Sequence, residues 1–445
     1  MQAEQEIVVL SNGPGELATW VYPYVTTLRQ RVGSRVRISV VMVPCPHASG
    51  HEAEIARRYP VDRVLPVREF WRLLITKTTA SGWDWLPRGA VVFLGGDQLF
   101  AVLLAKRLGY RCLLYCEWQA RWHRWVDVIA LRRPQPVPPT RAKVAVIGDL
   151  MTDVQTLALE AQPDLRQMLG LAATTPLVAL MAGSKPNKLK LGLPLSLAIA
   201  DQLASATPPI PCVIPVAPTL TLESLSRYAD PTDNPELTHI AGTTAQLYQP
   251  TDGLPYLETP QGTKVYLWQQ LPNYPLLRQV AIAVTTVGAN TAELAALNVP
   301  MVVLLPAQQL RVRRAHPWDG LAGLLVALPA IGRHWTALVF WVLVAKGLGW
   351  RRFWQVLQAP DIDWQLVKEG LGYKAWPNLW AGQEIVPELV GPLDPRAVAE
   401  QLIHYLDHPQ ELAAMKAALQ AVVGSPGAAA SLVELTLSEL SVGKE

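Results

Sequence analysis

The sequence predicts an α/β protein built from two successive doubly wound domains. Three observations lead there. Short apolar runs alternate with helical stretches through the first third of the chain. The runs are continuous rather than alternating in polarity, as strands covered on both faces of a parallel sheet are. The same rhythm restarts after a proline-rich crossing, and parallel strands separated by helices form one layered domain per restart. The length of 445 residues fits this division, because single cores stop growing near roughly 250–300 residues.

The elements follow in order. Ile7 to Leu10 is the first strand and ends in Ser11-Asn12-Gly13-Pro14-Gly15, after which a helix is expected from Glu16 to about Arg31. Further strands are predicted at Val36–Val43, Arg63–Val67 and Val91–Leu94. The last is closed by Gly95-Gly96-Asp97 and followed by a helix to about Leu108. Leu113–Tyr115, Val126–Leu131 and Val144–Ile147 complete the first set. Arg132 to Thr140 carries four prolines and reads as a surface crossing, since proline lacks the N–H that a central element needs. A domain boundary is expected near 150–175, and the second set of strands is Leu177–Met181, Cys212–Val216, Val265–Trp268, Ala281–Thr285 and Met301–Leu305. The expected domains are 1–165, 166–424 with an insertion at about 311–374, and a helix at 425–445 returning to the first domain. The ligand is expected in the cleft between two domains whose strand ends face each other.

Composition narrows the classes. Half the residues are hydrophobic and 17% are charged, which excludes a disordered chain. Thirty-nine basic residues oppose 36 acidic ones, so whole-chain attraction to nucleic acid is not expected. Cys45, Cys112, Cys116 and Cys212 are too scattered for a disulfide framework or a zinc site. The acidic, polar N-terminus is not the pattern of a secretory signal, and no 18-residue uninterrupted apolar run suggests a membrane span. A cytoplasmic location is expected.

One segment breaks the rhythm. Between residues 311 and 354 lie Arg311, Arg313, Arg314, Arg333, Lys346, Arg351 and Arg352 against Asp319 alone, a net charge of +6. Eight of the 16 tryptophans, Trp335, Trp341 and Trp350 among them, fall between Trp318 and Trp380. Indole and cation together suit the headgroup depth of an anionic bilayer, so the segment is expected to attach the protein peripherally to the inner or plasma membrane. A tryptophan-rich core insertion or an oligomer interface is the other reading.

Three loops carry candidate chemistry. Gly13, Gly15 and Glu16 form a strand-to-helix turn where backbone can approach a ligand and an anion is favoured. Asp97 ends a strand and is either a general base on a hydroxyl or a helix N-cap. In the second domain Gly183-Ser184-Lys185 offers amides and a cation to a phosphate. The stretch Thr285 to Glu293 adds Thr286, Gly288, Asn290 and Thr291 for phosphate oxygens, with Glu293 one helical turn on for two ribose hydroxyls. Together these describe a nucleotide-diphosphate site. His47/His51 and His404/His408 are spaced four apart but read as solvated, so no metal is expected.

The stretches LVALMAGSKPNKLKLGLPLSLAIA, AIAVTTVGANTAELAALNVPMVVLL, WPNLWAGQEIVPELVG and DPRAVAEQLIHYLDHPQELAAM resemble lipid-A-disaccharide synthase, a two-domain glycosyltransferase of the GT-B class. GGDQLFAVLLAKRLGY resembles the family's Pro-Asp-Phe-Asn stretch and places Asp97 on its catalytic aspartate. LSNGPGELATW keeps only Gly15, Glu16 and Leu17 of the family's first loop. The resemblance implies a GT-B fold and metal-independent transfer, with inversion, from a UDP-sugar donor to a lipid-linked acceptor. It implies no cofactor, brings Asn378 and Glu384 to the nucleotide site, and allows a homodimer. Lys185 stands where the family carries arginine, the first loop is shorter, and the insertion is additional. Transfer to diacylglycerol or a polyprenyl intermediate, sugar-nucleotide epimerisation on the same fold, and a catalytically silent membrane scaffold are the competing readings.

Overall fold

The computed structural model describes residues 4–44, 50–117, 119–157, 164–307, 349 and 363–441. The chain divides into two compact units, one of residues 1–160 with 423–445 and one of residues 161–422.

The first unit is a seven-stranded sheet of β1 (Gln5–Ser11), β2 (Val36–Met42), β3 (Arg63–Leu65), β4 (Gly89–Phe93), β5 (Arg111–Cys116), β6 (Val128–Leu131) and β7 (Lys143–Val146). Its order is β3-β2-β1-β4-β5-β6-β7, and every pairing is parallel. The continuous apolar runs are explained by the two faces of β1. Ile7 and Val9 enter one core with the helix Tyr22–Val32, while Val8 and Leu10 enter another with the helices Phe70–Thr76 and Gln98–Leu108. At the opposite end of the sheet from the loops, Glu6 is fully buried. Its carboxylate accepts from Arg37, Arg63 and Ser39, so the charge is paired and hydrogen-bonded as burial demands.

The C-terminal helix Ala428–Ser441 belongs to this unit. Ala428, Ala429, Leu432 and Val433 enter the first core, and Tyr24 Oη donates to Thr436 Oγ1 at 2.9 Å. Asp153 fixes its start by accepting from the amides of Gly427 and Ala429 at 2.8 and 2.9 Å, where a carboxylate meets free N–H groups and the positive helix end. Residues 409–441 have the length and mean hydropathy to cross a bilayer. The stretch nevertheless breaks into Pro409–Val423 and Ala428–Ser441, and the second part is core.

The second unit is an eight-stranded sheet of β8 (Val178–Met181), β9 (Cys212–Pro215), β10 (Gln246–Tyr248), β11 (Tyr256–Glu258), β12 (Lys264–Trp268), β13 (Ile282–Thr286), β14 (Met301–Pro306) and β15 (Glu388–Gly391). The order is β10-β11-β12-β9-β8-β13-β14-β15, parallel except where β11 pairs with β10 and β12. The antiparallel edge was not expected. It is braced by Tyr248 stacked on Tyr256 at 5.3 Å, with Tyr266 6.3 Å further on.

One sequence expectation is corrected. The proline-rich stretch has no regular structure, but its first residue is not at the surface. Arg132 is 5% exposed, bound to Glu117 at 2.6 Å and Asp149 at 2.5 Å, because β6 delivers it between the ends of β5 and β7. Within the insertion expected at about 311–374, the helix Trp364–Leu371 buries Val367 and Gly370 and packs on β15. Arg311, Arg313, Arg314, Trp335, Trp341, Trp350, Arg351 and Arg352 lie outside the described residues, as do Cys45 and His47.

Candidate functional site

In an open parallel sheet, ligands bind outside the carboxyl ends of the strands where the strand order reverses. In the second unit that point lies between β8 and β13. Thr285 is in register with Met181, so the loops that follow the two strands start side by side. The first loop leads into the helix Pro186–Ala204 and the second into the helix Ala289–Ala296. Both helices leave first-turn N–H groups without intrahelical partners, and these favour an anion.

The residue that knits the loops together is Lys188, which the sequence reading passed over. Its Nζ donates to the carbonyl of Val287. Gly183 has φ +104°, and a Cβ there would lie 3.0 Å from the Lys188 Cβ; a Cβ on Gly288 would lie 2.6 Å from its Nζ. Both glycines therefore lie directly against the Lys188 side chain, and their positive φ angles are what the turns demand. Burial holds the Lys188 ammonium below the usual lysine range, and the neighbouring Lys185 charge adds to this. Thr286 is 3% exposed, and its Oγ1 has no partner among the described residues. That hydroxyl lies 3.5 Å from the position a Cβ on Gly183 would take, on the same small space as Lys188.

The remaining candidates separate. Ser184 and Asn290 are part-buried near the two loops, and Lys185 is exposed at the cap of its helix. Glu293 has no hydrogen-bond partner among the described residues, and burial pushes its carboxyl up from 4.5 to about 7. Thr291 is spent, since its hydroxyl donates to the Gly288 carbonyl at 2.8 Å and accepts from the Trp376 amide at 3.1 Å.

Asn378 is corrected as a ligand contact. Asn378 is fully buried. Its amide donates to the Val386 carbonyl and Glu388, and its oxygen accepts from the amides of Ile385 and Val386, all within 2.9 Å. No polar capacity is left for a nucleotide. Glu384 is paired with Lys368 at 2.7 Å and accepts from the Glu388 amide. The two residues brace a loop that Trp376 ties to Thr291, so they position the helix Ala289–Ala296.

In the first unit the order reverses between β1 and β4, where the other two candidate loops meet. Gly95 has φ +141°, and a Cβ on it would lie 2.7 Å from Asn12 Oδ1 and 3.2 Å from Glu16 Cβ. Gly13 and Gly15 form the turn, with the Leu17 amide donating to the Gly13 carbonyl at 3.0 Å. The helical stretch begins at Pro14 and passes through π-helical Leu17–Val21 before the regular helix. Asp97 is exposed and accepts from the Leu99 amide at 2.9 Å. It is thus an N-cap, and its exposed carboxylate remains open to solvent as well.

Beside these loops is a cavity of about 130 Å³ lined by Asn12, Val43, Glu52, Val67 and Arg68 among others. Asn12 Oδ1 is buried there without a partner among the described residues. Glu52 is 4% exposed and accepts from the Gly50 amide at 2.9 Å. Away from both loop sets, His404, His408 and Glu411 bring three possible ligand atoms within 4.8 Å of one another. His404 Nε2 contacts Glu411 at 3.1 Å and its ring stacks on His408 at 4.1 Å, so the pair read as solvated is an exposed polar cluster.

No family model matches the chain. Over 63 residues it is 43% identical to lipid-A-disaccharide synthases of Anaeromyxobacter sp. (strain K) and of Anaeromyxobacter dehalogenans (strain 2CP-1 / ATCC BAA-258), which is 14% of this chain. The chain spans 16% of the length of those curated relatives in the match. Among solved structures, one from Listeria monocytogenes described as a "putative UDP-N-acetylglucosamine 2-epimerase" is similar at a TM-score of 0.51 and 12% identity, covering 99% of this chain and 98% of that one. A UDP-GlcNAc 2-epimerase from Neisseria meningitidis bound to UDP-GlcNAc gives 0.47 and 13%, over 98% and 100%. The chain has the GT-B fold. Each unit is one of the two Rossmann-like domains of that fold, and the two strand-order reversals carry the candidate loops.

Proposed function

We propose that this protein is a glycosyltransferase. It moves a sugar from a UDP-sugar held by the second unit to the hydroxyl of a lipid-linked acceptor, in the manner of lipid-A-disaccharide synthase, at the cytoplasmic side of a membrane. The observation that carries the reading is Lys188, set between Gly183 and Gly288 with the unpartnered Thr286 hydroxyl beside it. A cation, a free hydroxyl and two helix N-termini form a place for a diphosphate. Glu293, one turn on, has the chemistry to accept from ribose hydroxyls.

In the proposed step the acceptor oxygen attacks the anomeric carbon and its proton passes to the Asp97 carboxylate. The bond from that carbon to the β-phosphate oxygen breaks, and UDP leaves with its developing charge met by Lys188 and helix amides. Attack opposite the leaving group inverts the anomeric centre. The partial match to lipid-A-disaccharide synthases supports the acceptor class.

Calorimetric titration with UDP, GDP and uridine tests the donor site. Affinity for UDP above that for GDP, and above that for uridine, is expected; no heat with any of them would remove the nucleotide reading. The likeness to a UDP-sugar epimerase favours a second reading on the same fold. Product analysis separates the two, because transfer releases UDP only with acceptor present, whereas epimerisation returns an altered UDP-sugar without it.

A further inference from the structure

We infer that the outer face of the helices Phe70–Thr76 and Gln98–Leu108 docks on an anionic lipid bilayer. The inner sides of these helices are core: Phe70, Leu73, Ala101, Leu104 and Leu108 pack on the first sheet. Their outer sides are apolar as well. Trp71 is 51% exposed and Ile75, one turn further, 69%; across from them Leu103 is 39% exposed. Phe100 joins the two helices, its ring 5.6 Å from Trp71, and Arg107 donates to the Ile75 carbonyl at 2.8 Å. The large side chains therefore form one continuous strip rather than scattered positions.

Charge selects the occupant. Arg68, Arg72, Lys77, Lys106 and Arg107 surround the strip, are all exposed, and form no salt bridge among the described residues. The carboxylate within the first helical stretch, Glu69, accepts from the Ala80 amide at 2.6 Å. Lys106 Nζ sits 3.6 Å over the ring of Trp125, itself 55% exposed, which extends the strip with another indole and cation. Indoles at headgroup depth and lysine or arginine stems reaching lipid phosphates are the chemistry of a bilayer surface. The strip also begins where the cavity ends, since Val67 and Arg68 line the cavity and Trp71 follows one turn later. A lipid-linked acceptor would then meet the cavity at the membrane. That last point rests on the proposed function, whereas the docking itself does not.

The experiment is flotation of the full chain with vesicles of phosphatidylcholine alone and of phosphatidylcholine with phosphatidylglycerol. Wild-type protein is expected to float with the anionic vesicles and to be released by salt. Trp71→Ser with Ile75→Ser, and separately Arg72→Glu with Lys106→Glu, are expected to weaken partitioning tenfold or more. These side chains are exposed, so melting temperature and UDP affinity stay at wild-type values. Wild-type protein that does not float overturns the inference. So does undiminished flotation of both variants, which would move attachment to another part of the chain such as 311–354. A wild-type dimer that Trp71→Ser converts to a monomer, with flotation unchanged, would assign the strip to a second copy. UDP affinity is read separately, so failure of the donor site and failure of the docking face are distinguishable.

Discussion

Glu293 links the nucleotide site to pH in a way that calorimetry and unfolding can both read. Burial raises its carboxyl from 4.5 to about 7, so between those values the folded protein holds a proton that the unfolded chain has released. The slope of stability with pH follows the difference in bound protons, and stability therefore falls as pH rises through this window. At about 1.4 kcal/mol for each pH unit, the full difference is about 3 kcal/mol, present below pH 4.5 and lost above pH 7. Glu293→Gln removes the titration without changing shape. The variant should match wild type near pH 4 and exceed it by up to about 3 kcal/mol near pH 8, measured by urea unfolding. The same proton opposes nucleotide binding, because a carboxylate accepting from two ribose hydroxyls must first be ionised. With a value of about 7, only about one molecule in ten is ionised at pH 6, so apparent affinity for uridine should be about tenfold weaker there than at pH 8. Glu293→Gln should bind more weakly at pH 8 and show no such dependence. A wild-type and variant difference that is flat from pH 5 to 8, in both stability and uridine affinity, would refute the reasoning.

Three further outcomes follow. Asp97→Asn keeps a side-chain oxygen for the Leu99 amide and so preserves the helix cap. Turnover should nevertheless fall about 10²-fold or more with UDP affinity unchanged, and unaltered turnover in a coupled UDP-release assay would remove Asp97 from the chemistry. Lys188→Met should weaken UDP binding by about tenfold to a hundredfold, the range for a hydrogen bond to a charged group, while uridine affinity stays within about twofold; equal losses for both ligands would make Lys188 a packing residue. Asp153→Ala strips the start of the helix Ala428–Ser441 of both amide acceptors and should cost about 1–2 kcal/mol. Hydrogen exchange should then rise first at residues 427–436, and unchanged protection there would argue that the apolar contacts alone hold the helix.

What the sequence reveals and what it conceals divide along physical lines. The parallel strands are legible because burial on both faces writes a continuous apolar run, visible in Ile7–Leu10 and Val91–Leu94. The loops at both strand-order reversals are legible because a tight turn at a strand end needs glycine, as at Gly95 and Gly183. Partnerships across the fold are not written locally. Arg132 looks like the start of a solvated proline stretch, and only the sheet shows that Glu117 and Asp149 flank it. Asn378 stands in a segment shaped like a ligand loop, yet its four hydrogen bonds are all consumed by that loop and by Glu388 at the start of β15. Lys188 had a readable signal that was passed over: it stands three residues after Lys185, so a helix starting at Pro186 returns it to the side of the preceding loop. Its burial is what separates it from Lys185. A surface cation meets a phosphate only after giving up water, whereas Lys188 is already partly desolvated and places one of its three N–H donors on the Val287 carbonyl. Exchanging that neutral acceptor for a phosphate oxygen adds a charge to the pair at little further cost in burial. The cation set deepest between the glycines is therefore the one placed to respond to the leaving group.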